Sequence, residues 1–447
     1  MTSAAWTRLP LPWRQPWPVV EALARRFGRE GLVWLDGGDS PLAGISRVGV
    51  APVQQLSCRG LPDEEGATDP WAALATIETD AAAGGHWMGW LSYEAGAWVE
   101  PAAHWKSGPM ATLWAARHDP VLAIDAVSGE LWLEGSDAGA MAAMAGLIKA
   151  LPAAAPGHLP RPGPSPLARE RWHWHTSPAE FAHQVVRIRE WIAAGDLFQA
   201  NLTACVEQPL PASTDLLQLY GRLRDHSPAP FAGLAIAGGA ARGQAVLSAS
   251  PERFLHRDPE GWVETRPIKG TRPRHPDPEL DADAAAELIS SPKDRAENVM
   301  IVDLLRNDLG RVCLPGSISV PQLVGLESYA QVHHLTSVVR GRLRPGTGLA
   351  DLLRACWPGG SISGAPKIRA CQRISELEPV PRGAYCGSLF RLAPDGSFDS
   401  SILIRSAFVA GETIRAQAGC GIVADSDPRE EAQELDWKLI PLLEALA

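Results

Sequence analysis

No two cysteines of this chain stand at metal-clip spacing. The seven, Cys58, Cys205, Cys313, Cys356, Cys371, Cys386 and Cys420, are scattered. An odd number without metal spacing reads as reduced thiols in a cytoplasmic protein. There is no run of about 18 apolar residues, so no membrane-spanning helix is expected. The first twenty residues hold Arg8, Arg14 and four prolines but no apolar core segment, which excludes a signal peptide reading. A cationic surplus is missing too. The net charge of −10 argues against binding a phosphate backbone, which needs clustered Lys and Arg. Tyrosine (4) and phenylalanine (8) are few beside 17 tryptophans. No basic residues interleave with the tryptophans, so they read as packing and not as a base-stacking platform.

What is present is globular: 45% apolar and 21% charged residues. A length of 447 residues exceeds one simple core at roughly 100–200 residues per domain, so two domains or one composite domain are expected. Residues 1–150 read as mixed α and β structure. Pro18 to Arg26 forms a short helix, Gly31 to Leu35 a strand, Trp87 to Glu94 a second strand, and Ala140 to Leu151 a helix. A proline-rich linker is expected over 151–169, with six prolines among the fifteen residues 152–166. Residues 170–447 form the second region. Ser177-Pro178-Ala179-Glu180 is a capping box that opens a helix to about Ala194. Strands follow at 197–203, 245–248 and 262–265. Arg266-Pro267-Ile268-Lys269-Gly270-Thr271 then reads as a break around a single lysine, set between a fixed-φ proline and a glycine. Helices are expected from Asp294 to Asp308, after the glycine-rich turn Pro358–Lys367, and from Asp427-Pro428 to the end.

Several groups carry chemistry. Asp294 and Glu297 share a helix face, as do Glu431 and Glu434, with Lys438 one turn further on. Each pair alone also fits a solvated surface, but two such pairs suit a hard cation, Mg²⁺. The turn Gly359–Gly364 before a helix is suited to an anion. Gly419-Cys420-Gly421 permits a close backbone approach, or a strand bulge. Glu252, at a strand end 17 residues before Lys269, and the His333-His334 pair are acid–base candidates, though a histidine in that apolar context also fits a core. Unaided, these residues describe a Mg²⁺-dependent enzyme acting on a small polycarboxylate, with Lys269 as a candidate nucleophile.

The same motifs, taken together, resemble the chorismate-utilising enzymes. They are Arg266–Thr271, Asp294-Arg295-Ala296-Glu297-Asn298 with Val302–Asp308, His333-His334-Leu335, Gly359–Lys367, and Gly421–Ser426 with Glu431-Ala432-Gln433-Glu434. This family includes anthranilate, isochorismate, salicylate and aminodeoxychorismate synthases, and the resemblance covers about residues 170–447. Residues 1–150 are similar to the family's N-terminal region, chiefly through Gly89–Glu94. The resemblance implies an α+β fold of two interleaved subdomains forming a sheet sandwich flanked by helices.

A lysine within Pro-Ile-Lys-Gly-Thr is similar to the aminodeoxychorismate synthase component I subgroup, where anthranilate synthases usually carry alanine. That implies amination of chorismate to 4-amino-4-deoxychorismate, a precursor of p-aminobenzoate and folate, with ammonia supplied by a glutamine amidotransferase subunit. The alternatives are anthranilate synthase component I and a non-catalytic chorismate- or tryptophan-binding relative. Carried over by motif, Lys269 is the nucleophile and must be neutral to attack. Glu252 is the general acid, and His334 matches the family's active-site histidine. Glu297 and Glu434 would hold Mg²⁺, with Asp294 and Glu431 nearby or bonded through water. Arg405, Lys438, Tyr385 and the backbone of Gly419-Cys420-Gly421 would take the enolpyruvyl carboxylate side, and Gly270-Thr271 would line the ring. Leu35-Asp36-Gly37-Gly38 departs from the serine-bearing segment with which relatives bind tryptophan, whereas Pro230-Phe231-Ala232 matches that site's other wall.

Overall fold

A computed structural model of the chain describes residues 6–40, 42, 44–82, 84–102, 104–153, 165–329 and 332–447. Most of the expected 151–169 linker, residues 154–164, lies outside the described residues. Two large antiparallel sheets dominate, one of twelve strands and one of ten. Each takes strands from both sides of that linker. Val33–Asp36 pairs with Phe231–Ile236 in the first sheet, and His86–Leu91 pairs with Ser388–Leu392 in the second. The architecture is α+β, with the N-terminal and C-terminal halves interleaved.

Alternation along the strands builds the layers. Trp34, Leu234 and Leu247 enter one core with the helices Pro16–Phe27, Pro178–Ala193 and Pro428–Leu446. Their neighbours Val33, Ala235 and Val246 enter a second core, against Trp90, Leu389 and Phe390 of the other sheet. The first sheet is therefore covered by helices on one face and by the second sheet on the other. The last helix earns its place through Leu435, Leu439, Leu442, Leu443 and Leu446, all buried, each worth roughly 1.5–3 kcal/mol of transfer energy. The Ser177–Glu180 capping box is present with both of its hydrogen bonds.

Two local expectations change. The strand expected over 87–94 ends at Leu91, and Tyr93–Trp98 forms a 3₁₀ turn. The Arg266–Thr271 stretch is no simple turn: Ile268–Pro273 is a strand paired with Val332–Arg342. Pro267 and Gly270 do interrupt local regularity. Pairing with a long neighbouring strand outweighs them, and the irregularity survives as a register shift between Lys269 and Thr271. Gly270 supplies it at φ 81°.

Candidate active site

One cavity of about 720 Å³ collects the candidates. It lies where the Ile268–Pro273 strand, the Thr413–Ile422 strand and the helices Pro292–Gly310 and Pro428–Leu446 meet. Lys269, Glu252, His334, Gly270, Thr271, Tyr385, Arg405, Gly419, Gly421, Lys438, Asp294, Glu297, Glu431 and Glu434 all line it. Cys420 does not. Strand alternation turns its side chain away from the cavity, where its thiol lies 3.5 Å from the Glu431 carbonyl. The flanking glycines face inward without a bulge, because the register from Ala200↔Ile422 to Pro209↔Thr413 is unbroken. A Cβ on Gly419 would stand 2.3 Å from the Leu202 carbonyl oxygen, and one on Gly421 2.4 Å from the Gln199 amide nitrogen and 3.4 Å from Lys269 Nζ. Only glycine fits at 419, where the clash is with backbone, whereas a side chain at 421 would have to displace the Gln199 amide.

Lys269 reaches into the cavity and lies 3.5 Å from the Ser361 carbonyl oxygen. The Gly359–Gly364 turn, expected to cradle an anion, thus turns a carbonyl acceptor toward the Lys269 amine. Glu252 is buried, which pushes its carboxyl up to about 7, while a hydrogen bond with Ser361 and the charge of Lys269 pull the other way. His334 is pushed down to about 4, chiefly by burial and then by the charge of Arg405, and its Nδ1 sits 2.8 Å from the Thr271 hydroxyl. It is therefore a neutral imidazole at pH 7. Burial alone lowers Arg405, with no carboxylate offsetting it. That guanidinium, half-buried in the cavity wall, is suited to an incoming anion. Tyr385 is buried and its phenol is pushed well up, so it stays protonated.

At the other end the carboxylates gather. Lys438 pairs with Glu434 at 2.6 Å and Lys293 with Glu431 at 3.4 Å. Arg272 stands 3.5 Å from Asp294. Burial raises Glu297, and the neighbouring Asp294 and Glu431 add to that against the lysines. Partial burial also raises Glu434, but Lys438 and the other nearby lysines hold it below the usual carboxylate range. Ligand atoms of Cys420, Glu431 and Glu434 lie within 4.8 Å of one another. The thiol, held protonated chiefly by burial, is no partner for a hard cation. The carboxylate oxygens are, and the crowding at Glu297 is what such a cation would relieve.

Sequence reasoning missed three of the groups here. Gln199 is 1% exposed, its Oε1 finds no partner among the described residues, and its amide nitrogen stands beside Gly421. It passed for an ordinary strand residue. Ser361 was noticed only as part of a turn, and Lys293 not at all. Against the N-terminal half, Leu35, Asp36 and Gly37 do meet Pro230, Phe231 and Ala232 around a second cavity. It holds only about 60 Å³, well short of the roughly 150 Å³ of a cavity that accepts a benzene ring. Asp36 in its wall is already engaged by the Tyr220 hydroxyl at 3.0 Å and Arg224 Nε at 2.5 Å.

Comparison with known proteins gives a consistent picture. The family described as chorismate binding enzyme matches residues 32–444. The chain is 45% identical over 284 residues to anthranilate synthase component 1 of Streptomyces coelicolor, covering 63% of this chain and 54% of that one. It is 43% identical over 276 residues to aminodeoxychorismate synthase component 1 of Salmonella typhimurium, covering 62% and 59%. The matched stretch thus spans between half and three fifths of these curated relatives. Among solved structures, anthranilate synthase component I from Streptococcus pneumoniae superposes with a TM-score of 0.74 at 27% identity, over 91% of this chain and 93% of that one. The menaquinone-specific isochorismate synthase of Escherichia coli shares the fold at 18% identity, with a TM-score of 0.72 over 99% and 94%.

Proposed function

The chain belongs to the chorismate-binding enzyme family, and from that premise we propose that it aminates chorismate to 4-amino-4-deoxychorismate through a covalent adduct on Lys269. The observation that carries this reading is the placement of Lys269 in the cavity beside Glu252, a carboxyl raised to about 7. Displacing the C4 hydroxyl directly with ammonia is slow, because hydroxide leaves poorly. Lys269 Nζ forms a bond to C2, the ring double bonds shift, and the C4–O bond breaks. Glu252 gives its proton to the departing oxygen, which leaves as water. Ammonia then bonds to C4, the double bonds shift back, and the C2–N bond to Lys269 breaks. One hard displacement becomes two easier ones.

Arg405, Lys438 and Tyr385, with the backbone at Gly419 and Gly421, take the enolpyruvyl carboxylate. Gly270 and Thr271 line the ring, and neutral His334, bonded to Thr271, holds that wall. Mg²⁺ held by Glu297 and Glu434, with Asp294 and Glu431 beside it or bonded through water, would supply a countercharge for the ring carboxylate. Ammonia comes from a glutamine amidotransferase subunit, a reading supported by relatives named as component 1. A cytoplasmic location is supported by seven free, buried cysteines. Among the described residues no helix is long and apolar enough to cross a membrane.

The similarity to anthranilate synthase component 1 favours a second reading, amination at C2. Incubation with chorismate, Mg²⁺ and an ammonium salt separates the two. The expected product is 4-amino-4-deoxychorismate. Fluorescent anthranilate, formed without any added lyase, would refute the first reading.

A further inference from the structure

The Pro292–Gly310 helix, which carries Asp294 and Glu297, is seated on the lysine strand's neighbourhood at two points one helical turn apart. At the first, the helix lies against Gly270, where a Cβ would stand 3.0 Å from Asp294 Cβ. At the second, Asn298 is completely buried. Its amide nitrogen donates to the Leu335 carbonyl at 3.1 Å, and its Oδ1 accepts from the Ser337 hydroxyl at 2.5 Å. Leu335 is the residue directly opposite Lys269 in the strand pairing. Ser337 is held in turn, accepting from Val324 N at 2.8 Å and donating its own backbone N–H to the Pro267 carbonyl at 3.2 Å.

We propose that Asn298 is a positioning residue that fixes the reach between Lys269 and the carboxylates of the Pro292–Gly310 helix. An apolar side chain would seat the helix on the sheet equally well, but it would leave the helix free to slide or roll. A buried amide with both ends bonded fixes position along the helix axis and rotation about it. Glu297 is the adjacent residue, so any roll swings its carboxylate relative to Lys269. Gly270 limits approach from one side, and the Asn298 fork holds from the other. The inference rests on the reading of Lys269 as nucleophile and Glu297 as a cation ligand.

The test uses the full chain, with Asn298→Ala and Ser337→Ala. Mn²⁺ binding to the substrate-free protein is read by electron paramagnetic resonance, beside steady-state kinetics and a thermal melt. Asn298→Ala is expected to weaken Mn²⁺ binding by about 10-fold, the low end of what losing a hydrogen bond to a metal ligand costs, because Asn298 acts through the backbone and bonds no ligand itself. The Mg²⁺ needed for half-maximal rate should rise equally. The KM for chorismate at saturating Mg²⁺ should stay within about twofold, because the Arg405 end is untouched, whereas a merely structural loss would not split the two. Ser337→Ala keeps the Leu335 bond and should show a smaller shift in the same direction. It decides the matter if Asn298→Ala fails to fold. Wild-type Mn²⁺ affinity in a folded variant overturns the proposal. Failure of the proposed reaction itself would appear separately, as absence of 4-amino-4-deoxychorismate from the unmodified chain, and leaves the Mn²⁺ measurement readable.

Discussion

Glu252 and Lys269 line the same cavity, and the charge of the lysine is one of the influences restraining a carboxyl that burial pushes up to about 7. The proton of Glu252 is thus available at neutral pH and lost just above it. A general acid is competent only while protonated. The factor that Glu252 contributes to kcat/KM is therefore expected to fall as pH rises through about 7, approaching about tenfold per pH unit. Glu252→Gln should remove that limb and lower the rate by roughly 10²–10⁴-fold. The same shift has a stability sign. The folded state binds this proton more tightly than the unfolded chain, so the contribution of Glu252 is fully present below about 4.5 and lost as pH rises to about 7. A pH–rate profile of the wild type and the variant checks both the limb and its owner.

The carboxylate end predicts a division between Glu297 and Glu434 on one side and Cys420 on the other. Glu297→Gln and Glu434→Gln should each raise the Mg²⁺ requirement more than about tenfold, by analogy with losing a metal-site contact. Cys420→Ala should leave it unchanged, because the thiol faces the last helix and stays protonated. A Mg²⁺ titration of the rate for the three variants is the measurement.

Gly419 touches the Leu202 backbone too closely to accept a side chain. Gly419→Ala is expected to lose about 1–3 kcal/mol of stability, the usual result of overfilling a packed site. It should also displace the strand that carries Gly421. Denaturant unfolding midpoints measure the first effect, and the KM for chorismate the second.

The cavity between Leu35 and Phe231, at about 60 Å³, is far smaller than an indole amino acid requires, and Asp36 in its wall is already bonded. Calorimetric titration with tryptophan should therefore give no binding heat, and tryptophan should not inhibit the amination. Saturable binding would show that this region opens.

How much of this was legible in the sequence follows the range of the interactions. Asp294 with Glu297 and Glu431 with Glu434 were readable because helix periodicity is local, and so was the leucine stripe of the last helix. Meeting in one cavity is a long-range result, and composition and spacing do not contain it. Only the resemblance of ordered motifs anticipated it. Gln199 was missed because its place beside Gly421 depends on strands more than 200 residues apart in sequence. Ser361 was read as part of an anion cradle because its neighbours are glycines, yet pairing of Gly364 and Ala365 with the Gln199–Pro209 strand helps set how that turn sits. Lys269 itself was found by local punctuation, although the break it implied proved to be a strand with a shifted register. Cys420 was grouped with its glycine neighbours by adjacency, and alternation along the strand separated it from them.

The most direct test of the central claim is intact-mass spectrometry of the protein mixed with chorismate and Mg²⁺ in the absence of ammonia, then quenched. The account predicts an added mass of chorismate less one water, mapped to Lys269 and absent from Lys269→Ala. An unmodified Lys269 in a protein whose Lys269→Ala variant still forms 4-amino-4-deoxychorismate at full rate would contradict it.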